Sequence, residues 1–93
     1  MSERGYRIVI TPTARRQLSH RLPENVAAAA FEFIAGPLAE NPQRLGRQLG
    51  APLDDRHSAR RGTYRVLYRI DDSRRTVTVL TVVHRSEAYR RSG

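Results

Sequence analysis

The 93-residue sequence has no cysteine, no tryptophan and no lysine. Without cysteine there is no disulfide framework and no thiolate metal site, a composition that fits a reducing cytoplasm. Long apolar runs are missing too. None nears the length that crosses a bilayer, and the first residues show no charged-then-apolar leader, so a cytoplasmic protein without a membrane segment is expected. Histidine is scarce, and neither His20 nor His57 has metal-ligand spacing to any partner; no chemistry is assigned to either. Repeats and low-complexity segments are also absent. A chain of this length supplies one modest core, and a single domain spanning 1–93 is expected.

What the sequence has in quantity is arginine. All 17 basic residues are arginines, set against nine acidic ones, for a formal net charge of +8. The excess is larger in the second half, where residues 54–93 hold ten arginines and five carboxylates. Such a balance favours nucleic acid, an anionic membrane surface or an acidic protein as partner, and charge alone does not choose among them.

The most informative stretch runs from Ser58 to Ile70. Beyond Gly62, the residues Tyr64, Val66, Tyr68 and Ile70 alternate with Arg65, Leu67 and Arg69, a period of two that predicts a strand with an apolar and a cationic face. A second β-rich segment, Arg75 to His84, follows the turn cluster Asp71-Asp72-Ser73-Arg74, so the two are read as an antiparallel hairpin. Register follows from burial, because a one-residue slip exchanges the faces of a strand. Pairing Ile70 with Arg75 places Val77, Val79 and Val83 beside Tyr64, Val66, Tyr68 and Ile70. The opposite face then carries Arg65, Arg69, Thr76, Thr78 and His84, so Arg65 and His84 are expected on one surface.

The rest of the chain reads as follows. Tyr6 to Ile10 alternates and predicts a first strand. Thr11 is a helix N-cap with Pro12 at the first helical position, and Ala14, Leu18 and Leu22 form the apolar stripe of a short helix. Pro23 opens a second helix whose buried stripe is Val26, Ala30, Phe33 and Ile34, and Gly36-Pro37 ends or kinks it. From Asn41 to Asp55 a linker carries Leu45, Leu49 and Leu53, which pin it to the core. Arg56 to Arg60 predicts another strand, and Ser86 to Arg91 a short terminal helix or tail. The order β-α-α-β-β-β predicts an α+β domain: a small antiparallel sheet backed on one face by an N-terminal helical hairpin.

The run S-A-R-R-G-T-Y-R-V-L-Y-R-I-D-D, followed by V-V-H-R-S-E-A-Y-R-R, resembles the RelE branch of the RelE/ParE toxin superfamily, and the likeness extends over essentially the whole chain. It implies a RelE-like fold and the toxin of a type II toxin–antitoxin pair: an endoribonuclease that cuts messenger RNA in the ribosomal A site, without metal or other cofactor. In that chemistry the ribose 2′-hydroxyl attacks the neighbouring phosphate and expels the 5′-oxygen, which requires a base, an acid and cations around the phosphorane. Position by position, the resemblance assigns Arg65 as the catalytic arginine, Arg85 as the arginine at the end of the later strand and Tyr89 as the tyrosine that stacks on or orients the nucleotide. His84 is a candidate for proton transfer, since imidazole titrates near neutrality. Two positions that are often lysine in the family fall at Arg56 and Ser58, which with Arg60 and Arg61 are candidate RNA contacts. The implied partners are a RelB-like antitoxin, the ribosome and messenger RNA, with DNA reached only through the antitoxin.

Without the resemblance, Arg65 and Arg69 describe a solvated strand face, His84 a strand-end histidine bonded to a carbonyl, and Tyr89 a packing residue for the last helix. The rival within the superfamily is a ParE-like toxin that inhibits DNA gyrase by binding alone. A plain nucleic-acid-binding module is a third reading, weakened because no helix concentrates basic residues as a groove-reading element would.

Overall fold

The computed structural model describes residues 5–50 and 55–85. In chain order the elements are β1 (Arg7–Ile10), α1 (Pro12–Arg16), α2 (Glu24–Phe33), α3 (Pro42–Leu45), β2 (Arg47–Gln48), β3 (Arg56–Arg61), β4 (Tyr64–Asp71) and β5 (Thr76–His84). One five-stranded sheet runs β1-β5-β4-β3-β2. It is antiparallel from β2 to β5; the sequence predicts this for β3, β4 and β5, but the segment read as a linker holds α3 and β2, and β1 pairs with β5 in parallel, which makes the sheet mixed. The helices cover one face; the terminal helix expected over Ser86 to Arg91 lies outside the described residues. No helix among the described residues is long and apolar enough to cross a membrane.

Thr11 caps α1 as expected, its hydroxyl accepting from the Ala14 N–H at 3.2 Å with Pro12 next in line. The helix then widens into a π-helical turn over Gln17–Arg21, closed by the Leu22 N–H donating to the Gln17 carbonyl. That wider turn keeps Ala14, Leu18 and Leu22, spaced by four, on one apolar line; Ala14 and Leu22 are buried. Gly36-Pro37 does not stop α2. A second π-helical turn, Ile34–Leu38, absorbs the proline, whose ring would clash with the preceding turn of a regular helix, and so delivers Ile34 and Leu38 to the core.

The core lies between these helices and the sheet. Ala30, Phe33, Ile34 and Leu38 pack against Val66, Tyr68, Val77, Val79 and Val82. Each buried valine or leucine contributes about 1.5–3 kcal/mol relative to exposure, so this layer is the main source of cohesion. Leu45 packs against its margin, as the linker reading predicts; Leu49 anchors β2 differently, its N–H donating to the Arg56 carbonyl. Leu53 lies outside the described residues.

Register is where the expectation fails. Asp71, not Ile70, closes the β4–β5 hairpin by pairing with Thr76, and Ile70 pairs with Val77. A β-bulge then places one extra residue, Leu80, in β5, because Tyr68 pairs with Val79 while Leu67 pairs with Thr81. Beyond it the facing of β5 reverses. Val82 is buried, Val83 lies opposite Arg65, and His84 lies opposite Tyr64. Val83 is thus not a core residue, and Arg65 and His84 do not share a sheet face.

Candidate functional site

The two-residue loop Gly62-Thr63 joins β3 to β4, with Gly62 at φ 58°, the left-handed conformation that such hairpins require at their first loop position. The Arg85 N–H donates to the Thr63 carbonyl at 2.7 Å, fastening the end of β5 beside that loop. Between them lies a cleft of about 390 Å³ lined by Arg60, Gly62, Thr63, Tyr64, Arg65, Val83, His84 and Arg85.

Arg60 and Arg65 are cross-strand partners on the face of the sheet that the helices leave uncovered, and both are exposed. Like charges directly opposite each other destabilise a sheet, so the arrangement suits an anion between the two guanidiniums. Val83 sits on the other side of Arg65 and forms the apolar floor. His84, paired with Tyr64, also lines the cleft and is half-buried. Tyr64 is buried; its hydroxyl donates to the Ala29 carbonyl at 3.4 Å, and burial pushes its ionisation up while the Arg61 charge pulls the other way.

Of the sequence-derived candidates, Arg60, Arg65, His84 and Arg85 line this single cleft. Arg56 and Ser58 lie on the same open face, further down β3, opposite Arg69 and Leu67. Arg56 Nε is 3.9 Å from an Asp55 carboxylate oxygen. Arg61 is directed elsewhere: it pairs with Tyr64, and its guanidinium stacks 4.6 Å from the centre of the Phe33 ring on the helix side. Tyr89 lies outside the described residues. The sequence reading missed Val83, whose inward assignment came from the wrong register, and the Thr63 carbonyl, which no side-chain pattern announces.

Comparison with known proteins agrees with the fold. Residues 8–89 match the family described as ParE toxin of type II toxin–antitoxin system, parDE. The chain is similar to Toxin RelE of Mycobacterium tuberculosis, 52% identical over 85 residues, which cover 91% of this chain and 87% of that protein. It is also similar to Toxin RelG of the same organism, 51% identical over 86 residues, covering 92% and 98%. Among solved structures, the toxin–antitoxin complex RelBE2 from Mycobacterium tuberculosis contains a chain with a TM-score of 0.83 and 51% identity, covering 87% of this chain and 99% of that one. The isolated Escherichia coli RelE toxin shares the fold, with a TM-score of 0.69 at 20% identity over 95% of this chain and 99% of that one.

Proposed function

The chain belongs to the RelE/ParE superfamily of type II toxin–antitoxin toxins and is of the RelE type within it, and from that premise we propose that it is a ribosome-dependent endoribonuclease that cleaves messenger RNA in the A site without a metal ion. The observation that supports the reading is the cleft at the end of the sheet, lined by the cross-strand pair Arg60 and Arg65 together with His84 and Arg85.

A phosphodiester seated there meets fixed positive charge where the phosphorane develops negative charge. The 2′-oxygen forms its bond to phosphorus as the bond to the 5′-oxygen breaks. One proton leaves the 2′-hydroxyl and one reaches the departing oxygen, giving a 2′,3′-cyclic phosphate and a 5′-hydroxyl. Arginine does not exchange protons at neutral pH; Arg65 therefore stabilises charge, Arg60 and Arg85 hold phosphate oxygens, and His84, at the rim, moves the proton. Arg56 and Ser58 extend the contact surface along β3, and Tyr89 orients the nucleotide. Arg61, stacked on Phe33, contributes long-range charge more than a direct contact. A RelB-like antitoxin silences the toxin by covering the cationic face, and DNA is bound through that complex.

Arg65→Ala is the test. Arg65 is exposed and outside the core, so the variant should stay folded by circular dichroism, with stability within about 0.5 kcal/mol of the parent. It should lose cleavage of labelled messenger on ribosomes and arrest of cell growth. Undiminished cleavage removes Arg65 from the mechanism. Intact messenger with stalled gyrase–DNA complexes from the parent chain transfers it to the gyrase-binding class.

A further inference from the structure

The open face of the sheet has a second cationic cleft at its other end. It holds about 550 Å³ and is lined by Arg7 of β1, Arg69 of β4, Arg74 of the β4–β5 turn, and Thr76 and Thr78 of β5. All three arginines are exposed. Asp71 also borders it, but its carboxylate is already engaged: the Ser73 hydroxyl donates to it at 2.7 Å, the Arg74 N–H at 3.2 Å, and the Arg74 guanidinium lies 4.0 Å away. Three guanidiniums against one carboxylate leave a surplus of positive charge.

The two clefts lie on one track. Arg65 and Arg69 are four residues apart on β4, about 14 Å at ~3.4 Å per strand residue. Arg69 stands in a row with Arg56, Thr78 and Val9 across the sheet. Val9 is 42% exposed, a bare apolar surface beside the cations. We infer that this cleft is a second RNA-backbone subsite, in which Arg7, Arg69 and Arg74 hold a phosphate of the same strand whose scissile bond lies in the first cleft. The inference rests on the messenger-cleaving reading for its ligand. Guanidinium forks match phosphate oxygens, and exposed Val9 offers a surface to the sugar or base between the two clefts.

The experiment measures binding of the whole chain to a labelled, unstructured oligouridylate across a salt series, for the parent and for Arg7→Gln, Arg69→Gln, Arg74→Gln combined. Each phosphate contact adds about 0.7 to the slope of log affinity against log salt on single strands. Because the three arginines share one phosphate, the triple variant should have a slope smaller by about 0.7, which at ~0.15 M salt is an affinity roughly 4-fold lower if the 1 M values coincide. Affinity for polyglutamate is measured in parallel. An unchanged RNA slope, or no RNA binding by the parent, overturns the subsite. A loss confined to polyglutamate overturns it in favour of an acidic protein partner. Cleavage of messenger on ribosomes by the parent is scored separately, and its absence removes the nuclease reading without altering the binding slopes.

Discussion

Tyr68 is wholly buried, and its hydroxyl donates to the buried Pro42 carbonyl at 2.6 Å, tying the centre of β4 to α3. Burial pushes its pKa up to about 12. Gly46 passes so close that a Cβ there would overlap the Tyr68 hydroxyl and press on the Ser58 carbonyl. Gly46→Ala should accordingly cost about 1–3 kcal/mol by overpacking, read as a lower denaturation midpoint at unchanged m-value. Tyr68→Phe should cost about 1–3 kcal/mol by leaving the Pro42 carbonyl unpaired. Because the second change removes the clashing oxygen, the two costs should be less than additive; strict additivity would mean that Gly46 is needed for some other reason. His57 stacks on the same ring, with centroids 5.5 Å apart. Burial lowers its pKa from the ordinary 6.5, partly offset by the Asp72 charge. A lowered folded-state value means that the unfolded chain binds the proton more readily, so this contribution is complete above pH 6.5 and is lost as pH falls through the folded value. Melting temperature should fall on acidification below that point, and His57→Phe, which keeps the stacked ring, should flatten this part of the profile.

At the scale of elements, the bulge in β5 decides which residues line the cleft, and the residues flanking α1 bond to the strand there. β1 stops pairing at Val79. Beyond it the Thr11 hydroxyl donates to the Leu80 carbonyl at 3.1 Å, and the Gln17 side-chain oxygen accepts the Val82 N–H at 2.7 Å. Side chains of one helix thus replace the missing strand at the bulge. Gln17→Leu should cost about 1–3 kcal/mol and speed hydrogen exchange at the Val82 amide, whereas Gln17→Glu, which keeps an acceptor, should lose much less. The same element marks how far the sequence could be read. Alternation in Tyr64–Ile70 was legible because arginine and apolar residues differ sharply there, and Thr11-Pro12 was legible because capping is local. The run Thr76 to Val83 offers threonine, valine and leucine in positions that suit either face, so nothing in it announces an extra residue at Leu80. The parallel partnership of β1 and β5 joins segments almost seventy residues apart, and β2, only two residues long, carries no periodicity. The site was therefore half legible: Arg65, His84 and Arg85 were named together for the chemistry and line the cleft, but Arg60 was named only as an RNA contact and the register that was to place Arg65 and His84 on one face was wrong.

Over the whole molecule, charge is distributed against stability. Two pairs of arginines, Arg56 with Arg69 and Arg60 with Arg65, stand directly opposite each other on adjacent strands, in a chain of net charge +8. Each like-charged pair costs roughly 0.2–1 kcal/mol, and the surplus adds diffuse repulsion that salt screens over about 10 Å at 0.1 M. A fold indifferent to anions would gain from losing these charges. Thermal stability should therefore rise with sodium chloride, and rise further in sulfate at equal ionic strength, because a divalent oxyanion can occupy the space between opposed guanidiniums and stabilise by mass action. Arg60→Gln should raise the melting temperature at low salt by up to a few degrees, since 1 kcal/mol corresponds to roughly 4–8 °C in a domain of this size, and should abolish much of the sulfate increment. The same change should weaken messenger cleavage, as expected when a binding surface is kept at the expense of stability. Equal increments from sulfate and chloride in both proteins would instead mean that repulsion is diffuse, and that the opposed pairs do not form an anion seat.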